Sequence, residues 1–453
     1  MSIKTGVLSL ISFTALIYLT IAPLAAEEFA SLEPFKKEDR ILVLAPHPDD
    51  ENIGCGGVIQ RAVKTGAQVK VAYLTNGDHN EFAFMVYEKR PVLSNPEFIR
   101  MGKVREEESK KAMKILGLDE SNLIFLGYPD YGTDTIFFSF WDSTRPFESY
   151  LTRQSYVPYK ESPSYNAPYK AETILKDLKK VLLDYRPNKI FVSHPADVNG
   201  DHWAYYCFLQ VALRDLQKEI PEPRLYVYFV HAPGWPLPRH YHPELVLEPS
   251  SRHFPDSLIK WVSFQLTPEE IDKKYKAMLC YRSQTCVSAF YLLSFVRQNE
   301  LFGDYPLFEL ERQASPDKGN IFNDNNRLSY AVAGDSFWIR VRKPQELKKR
   351  IFFSIYILGY SDKVPFAKMP NIWVRTKSDR FKITELNTAK EVNPAGTLAQ
   401  VKRDFFILKI PLRTLGDPQF ILTSLVTDKP FLPLDATGFR RIKIKDEEIK
   451  PGL

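Results

Sequence analysis

The sequence predicts an α/β fold, a Rossmann-like and mostly parallel sheet with flanking helices, followed by a β-sandwich-like C-terminal domain. Three observations predict it. Up to about residue 300, short apolar runs alternate with helical segments, the pattern of parallel strands joined by crossover helices. Beyond residue 328, short β-rich runs take over and helical periodicity becomes scarce. Polar clusters follow the apolar runs directly, which is where open parallel sheets place their ligands.

The elements follow in order. Ile41–Ala45 reads as a strand, residues 55–65 as a helix and Val69–Leu74 as a second strand, with Thr75-Asn76-Gly77 opening its loop. Arg105–Leu116 has a helical period that Gly117 stops. Leu123–Leu126 is a strand whose loop carries Asp130. Residues 133–170 interrupt the alternation. Their five tyrosines suit either a loop packed by its own aromatics or a wall of a carbohydrate cleft. Ala171–Tyr185 is a helix, Lys189–Ser193 a strand and Leu225–Val230 another strand, ending at His231. Thr267-Pro268-Glu269-Glu270 is a capping box with proline at the first helical position, opening a helix to about Tyr281. A further helix is expected over 285–298 and a linker over 314–327. Strand-like runs then recur at Ser336–Val341, Ile351–Leu358, Ile372–Arg375, Phe405–Ile410, Phe420–Leu425 and Arg441–Ile444.

Residues 1–26 read as a secretory signal peptide, with Lys4 ahead of an apolar stretch and Ala25-Ala26 at its end; an uncleaved membrane anchor is the alternative. The chain is expected outside the cytoplasm, secreted or periplasmic, or membrane-anchored if that segment stays. Residues 27–310 are assigned to the catalytic α/β domain and 311–453 to a β-rich ancillary domain, and a chain ending near Leu310 is expected to fold. The net charge of +6 comes from interspersed acids and bases with no basic block, so nucleic acid is not an expected partner. The four cysteines are too few and too scattered for a disulfide framework, and all four are expected to be buried thiols.

The chemistry concentrates in two runs. Pro46-His47-Pro48-Asp49-Asp50-Glu51 follows the first strand, and His194-Pro195-Ala196-Asp197 with Asp201-His202 follows Lys189–Ser193. Acids gathered in a turn are costly unless a cation or proton is shared among them. His47 and Asp50, three positions apart, can converge on one cation, and His202 is the expected third ligand. A His, Asp, His set with an open position suits catalytic zinc. Asp49 lies beside that site, where a carboxylate can take a proton from water. Glu51 is expected in a supporting or helix-capping role, while Asp197 and Asp201 can orient an imidazole or a substrate hydroxyl. His194 is open to three roles: ligand, proton donor or packed core histidine.

These runs, their order and the glycines after the first resemble the PIG-L/LmbE-like family of zinc-dependent N-acetylglucosamine deacetylases. Thr75-Asn76-Gly77 resembles the family's second loop, Arg105 and Glu108 its Arg-X-X-Glu helix, and Pro129-Asp130 its third loop. The resemblance covers about residues 38–300. It implies that His47, Asp50 and His202 bind Zn2+, that Asp49 is the general base, that Arg105 and Asp130 contact the sugar, and that Asp201 supports the ligands. Many members carry a histidine three positions before the last ligand, where this chain has Asn199. Asn199 can donate to an oxyanion but cannot deliver a proton. That task then falls to His194, favoured because it shares a cluster with His202, to His231, or to Asp49 as a shuttle; His231 is otherwise expected to bind substrate from the far wall or to serve the structure. The expected function is removal of an N-acetyl group from an N-acetylglucosamine-type sugar or glycan. The alternatives are a non-catalytic metal-containing glycan-binding protein and a two-metal phosphoesterase.

Overall fold

The computed structural model describes residues 29–250, 258–313, 322, 328–342, 352–377, 380–401, 404–429 and 432–445. The expected signal peptide therefore lies outside the described residues, as does the linker 314–327 apart from Phe322. Among the described residues no helix is long and apolar enough to cross a membrane.

The first sheet has eight strands. In chain order they are β1 (Ala30–Ser31), β2 (Arg40–Ala45), β3 (Gln68–Thr75), β4 (Leu123–Tyr128), β5 (Lys189–Ser193), β6 (Arg224–Tyr228), β7 (Val262–Gln265) and β8 (Asn299–Phe302). Their spatial order is β1-β7-β8-β6-β5-β2-β3-β4. The strands from β4 to β6 are all parallel, and β8 alone runs against its neighbours. The chain leaves β2 towards β3 and β4 on one side, then returns to place β5 on the other. The β2/β5 boundary is thus a topological switch point, where the two crossovers diverge and leave a crevice above the strand ends. The buried strands read as continuous apolar runs because helices cover both faces.

Helix α1 (Asp50–Thr65) begins directly in the first polar run. Its glycines let it lie close on the sheet: a Cβ at Gly54 would sit 2.5 Å from the Tyr228 ring. Glu300 on β8 accepts from the backbone amides of Gly57 and Val58 at 2.7 and 3.0 Å and from the Lys274 ammonium at 2.6 Å. Removing one partner of so buried a pair costs about 3–5 kcal/mol, so this link holds α1, and with it the ligand turn, in place. Helix α2 (Glu81–Glu88) follows, and α3 (Asn95–Leu116) starts ten residues before the Arg105 start expected from periodicity. Its true start is the Ser94/Glu97 capping box with Pro96 in the first turn. Helices α4 (Thr133–Ser139), α5 (Ala171–Tyr185), α6 (Gly200–Asp215), α7 (Pro268–Met278) and α8 (Arg282–Leu292) complete this part. The expected helix over 285–298 is displaced: α8 ends at Leu292, and 299–302 is strand β8.

Among the described residues the second sheet has twelve strands, β9 (Phe308–Gln313) to β20 (Arg440–Lys445). It folds over one core in which Val332, Ile339 and Leu408 from one half meet Ile355, Val374 and Ile421 from the other. Strand β9 joins the halves, pairing in parallel with both β10 (Leu328–Ala333) and β20. The 310/311 boundary falls inside β9.

The two parts also share a core. Phe366, Tyr360, Phe420 and Phe439 from the second sheet cluster with Phe137, Trp141 and Phe208 from the first. Phe138 stacks on Tyr356 with centroids 4.6 Å apart, and Phe366 meets Trp141 edge-on at 5.0 Å. For a chain ending near Leu310 this shared core favours insolubility over independent folding, because truncation there would expose the aromatic face of α4 and α6 to water. The cysteine expectation is also corrected: Cys55 and Cys207 are buried, but Cys280 is half-buried and Cys286 exposed.

Candidate metal centre and active site

Strands β2 and β5 end side by side, with Leu44 paired to Val192, so the runs that follow them meet. His47, Asp50 and His202 come together, with one donor atom from each lying within 4.8 Å of the others. Asp50 Oδ2 lies 3.2 Å from His47 Nδ1 and 3.2 Å from His202 Nε2. Asp197 backs the set: its Oδ2 lies 3.2 Å from His202 Nδ1, and its Oδ1 lies 3.1 Å from His231 Nδ1. The amides of Val230 and His231 donate to the same carboxylate. Asp201 lies 3.1 Å from His47 Nε2 and accepts from the Tyr131 and Thr133 amides at 2.7 and 3.0 Å. Asp130 Oδ1 also lies 3.1 Å from His47 Nε2.

The charge balance shows what this arrangement wants. Burial disfavours a charged imidazole, yet Asp197 and Asp50 overcome that and raise His202 to about 9. Burial opposes His47 in the same way, and Asp130, Asp201 and Asp50 hold it well above the ordinary histidine value. Burial would raise Asp50 and Asp197, but the facing imidazoles keep both well below the usual carboxylate range. Protons on two buried histidines are standing in for positive charge that the acids demand. Both ring nitrogens of His202 are buried without a well-directed hydrogen bond. The residues present fit a divalent cation: two imidazoles and a carboxylate, with a second carboxylate orienting one imidazole.

Asp49 is held beside this set at φ 124°, a left-handed conformation that a non-glycine residue adopts only under constraint. The constraint is visible. Arg105 donates to Pro48 O at 2.6 Å, to Asp49 Oδ2 at 3.2 Å and to Gly77 O at 2.9 Å, while the Asp49 amide donates to Glu51 Oε2 at 2.8 Å. Although Asp49 precedes α1, its side chain does not cap the helix. It lines a cavity of about 410 Å³ together with His47, Asp50, Arg105, Asp130, Asn199 and His231. Burial pushes its carboxyl up to about 8, with Arg105 opposing and Asp50 and Glu51 adding to the rise. Glu51 supports the turn from below, accepting from the hydroxyls of Tyr73 and Tyr281 at 2.8 and 2.6 Å.

Several expectations shift. His194, favoured as proton donor, does not line the cavity; it is buried against Phe229, Tyr305 and Trp261, and its Nδ1 accepts from the Ala196 amide at 3.0 Å. Of the two candidate donors the one at the cavity is His231, its ring 4.6 Å from that of His202. Asn199 lines the cavity, but its Oδ1 caps α6 by accepting from the Asp201 amide at 2.9 Å. Arg105 reaches the cavity with its terminal nitrogens given to the Pro48 and Gly77 carbonyls and the Asp49 carboxylate, so it ties the first and second loops together. Asp78 was missed: its Oδ1 accepts from the Asp130 amide at 3.4 Å, and its Oδ2 from the hydroxyl of Tyr159 in the aromatic insertion at 2.6 Å. The α8 wall of Gln284, Ser288, Tyr291 and Leu292 was missed as well. It carries no histidine or acid to announce it. His79 and Tyr131 complete the mouth, with rings 5.3 Å apart, and the exposed Tyr150 of the insertion stands 6.5 Å from His79.

Comparison with known proteins agrees with this geometry. The family model described as PIG-L: GlcNAc-PI de-N-acetylase matches residues 42–213. The 1D-myo-inositol 2-acetamido-2-deoxy-alpha-D-glucopyranoside deacetylase of Kribbella flavida is 24% identical over 318 residues, 63% of this chain and 96% of that protein. The protein of the same name from Kineococcus radiotolerans is 34% identical over 103 residues, 23% of this chain and 26% of that one. The diacetylchitobiose deacetylase of Thermococcus kodakarensis is 31% identical over 106 residues, 23% of this chain and 36% of that protein. The matched segment contains both polar runs and every candidate metal ligand, and over it this chain is similar to the PIG-L family of GlcNAc-PI de-N-acetylases.

Proposed function

We propose that the protein is a metal-dependent hydrolase that removes the N-acetyl group from an N-acetylglucosamine-type sugar or glycan, with zinc held by His47, Asp50 and His202. The observation that carries this reading is a constrained, cavity-facing Asp49 beside a two-histidine, one-carboxylate donor set. Zinc bound there would supply Lewis acidity, polarising the amide carbonyl and making water easier to deprotonate.

The chain's own residues do the rest. Asp49 takes a proton from the attacking water, and Arg105 holds its carboxylate at the angle required. Asp130 is aimed by the His79 amide, which donates to its Oδ2 at 2.9 Å, and it receives a sugar hydroxyl. His231 has its Nδ1 engaged by Asp197, leaving Nε2 to donate to the developing oxyanion or to the departing amine. Asn199, committed as a helix cap, moves no proton. The N-terminal apolar segment supports an extracytoplasmic location, which fractionation of cells carrying the full chain would test.

The experiment is acetate release from N-acetylglucosamine and its oligosaccharides by the purified protein, with and without chelator, alongside metal analysis. Metal-dependent release with one zinc per chain is expected. A metal-loaded protein that binds these sugars without cleaving them would favour the glycan-binding alternative. Two tightly held metals would favour the phosphoesterase.

A further inference from the structure

The loop His194–Asn199 between β5 and α6 carries Asp197, the residue that touches both His202 and His231. From inside it is held by its own turn. From outside it is held by one turn of the second sheet, between β19 (Leu432–Ala436) and β20. The Phe439 amide donates to Pro195 O at 3.2 Å. Gly438 lies against Ala196 so closely that a Cβ there would come within 2.6 Å of the Ala196 Cβ and 2.7 Å of its Cα. The Phe439 ring packs on Trp203, the neighbour of His202, with centroids 5.2 Å apart. Arg440 sits over the Tyr305 ring, which in turn meets His194 edge-on at 5.0 Å. Arg441 pairs with Asp304 at 2.9 Å and donates to Tyr305 O at 2.8 Å. The turn itself is anchored, because Thr437 donates to Leu425 O at 2.9 Å and accepts from the Leu425 amide at 3.1 Å. Leu425 belongs to the core of the second sheet.

We propose that the turn Thr437–Arg441 positions Asp197, and through it His202 and His231, so that the metal site takes its final geometry only with the second sheet docked. Gly438, Phe439 and Arg440 are positioning residues that act through the loop they press on.

The inference rests on the metal-site reading above, and the test separates the two.

The test measures metal retention by competition with a chelator, and the visible spectrum of the Co2+-loaded protein, for the full chain and for Gly438→Ala. The same measurements on Gly438→Ala/Ala196→Gly remove the Cβ–Cβ contact that the first change creates. Val332→Ala, in the core of the second sheet away from the turn, serves as a control for general destabilisation. Gly438→Ala is expected to lose about tenfold or more in metal affinity and to alter the Co2+ spectrum, as loss of a ligand's supporting contact does. The double variant still brings the new Cβ within 2.7 and 2.8 Å of the residue 196 Cα and N and should keep most of both losses, and Val332→Ala should change neither. Wild-type metal affinity and spectrum in Gly438→Ala would overturn the proposal, as would an equal loss in Val332→Ala. If Gly438→Ala does not fold, Phe439→Leu takes its place under the same criteria. Failure of the wild-type protein to bind metal would instead overturn the metal-site reading.

Discussion

His202 Nδ1 lies 3.2 Å from Asp197 Oδ2, and the same carboxylate reaches His231 Nδ1 through its other oxygen. One side chain therefore sets the orientation of the candidate metal ligand His202 on α6 and of His231 after β6. Asp197→Asn keeps the shape but removes the charge. It is expected to lower metal affinity about 10- to 100-fold. Chelator competition and metal content after dialysis check this, and unchanged retention would mean that Asp197 serves the loop alone.

Asp49→Asn should separate chemistry from metal binding. Turnover is expected to fall by about 10²–10⁴-fold, the range for loss of a general base, with metal content unchanged. The paired measurement is acetate release and metal analysis on the same sample. Metal loss together with activity would make Asp49 a ligand.

His194 and His231 should part in opposite ways. His231→Ala is expected to lower turnover on a folded, metal-loaded protein. His194→Gln should leave the pH profile of turnover intact and act on stability. Burial, with Arg440 adding, lowers His194 to about 3, while the unfolded chain titrates near the ordinary value of 6.5. Between those values the unfolded state binds the extra proton, so this group's contribution to stability falls as the pH drops through that window, by up to about 1.4 kcal/mol per unit. The stability gap between wild type and His194→Gln should therefore shift in favour of the variant from pH 6.5 towards 4, as read from urea unfolding. A constant gap would show that His194 titrates normally.

A chain ending at Leu307, before β9, should be insoluble or should bind a hydrophobic dye strongly, because Trp141, Phe137 and Phe208 lose Phe366 and Phe439 as cover. Expression and dye binding measure this directly. A soluble truncated chain with full metal affinity would count against both the shared core and the positioning role of the second sheet.

The alternation of short apolar runs with helical segments was enough to identify the parallel sheet, because strands buried on both faces leave a continuous apolar signature. The two polar runs marked their strand ends for a related reason: acids beside histidines at the end of an apolar strand have no packing role, so their chemistry shows in the order of residues alone. The capping box at Thr267 was equally legible, being a contact between near neighbours in the chain. Other features depended on which distant residues meet. Nothing local distinguishes His194 from His231; the first is enclosed by Phe229, Trp261 and Tyr305, and the second faces the cavity. The α8 wall, the Tyr159–Asp78–Asp130 chain and the clamp of Gly438 on Ala196 join residues tens to hundreds of positions apart. Periodicity reports which face of an element is buried. It carries no information on what that face is buried against, and only the tertiary structure decided that.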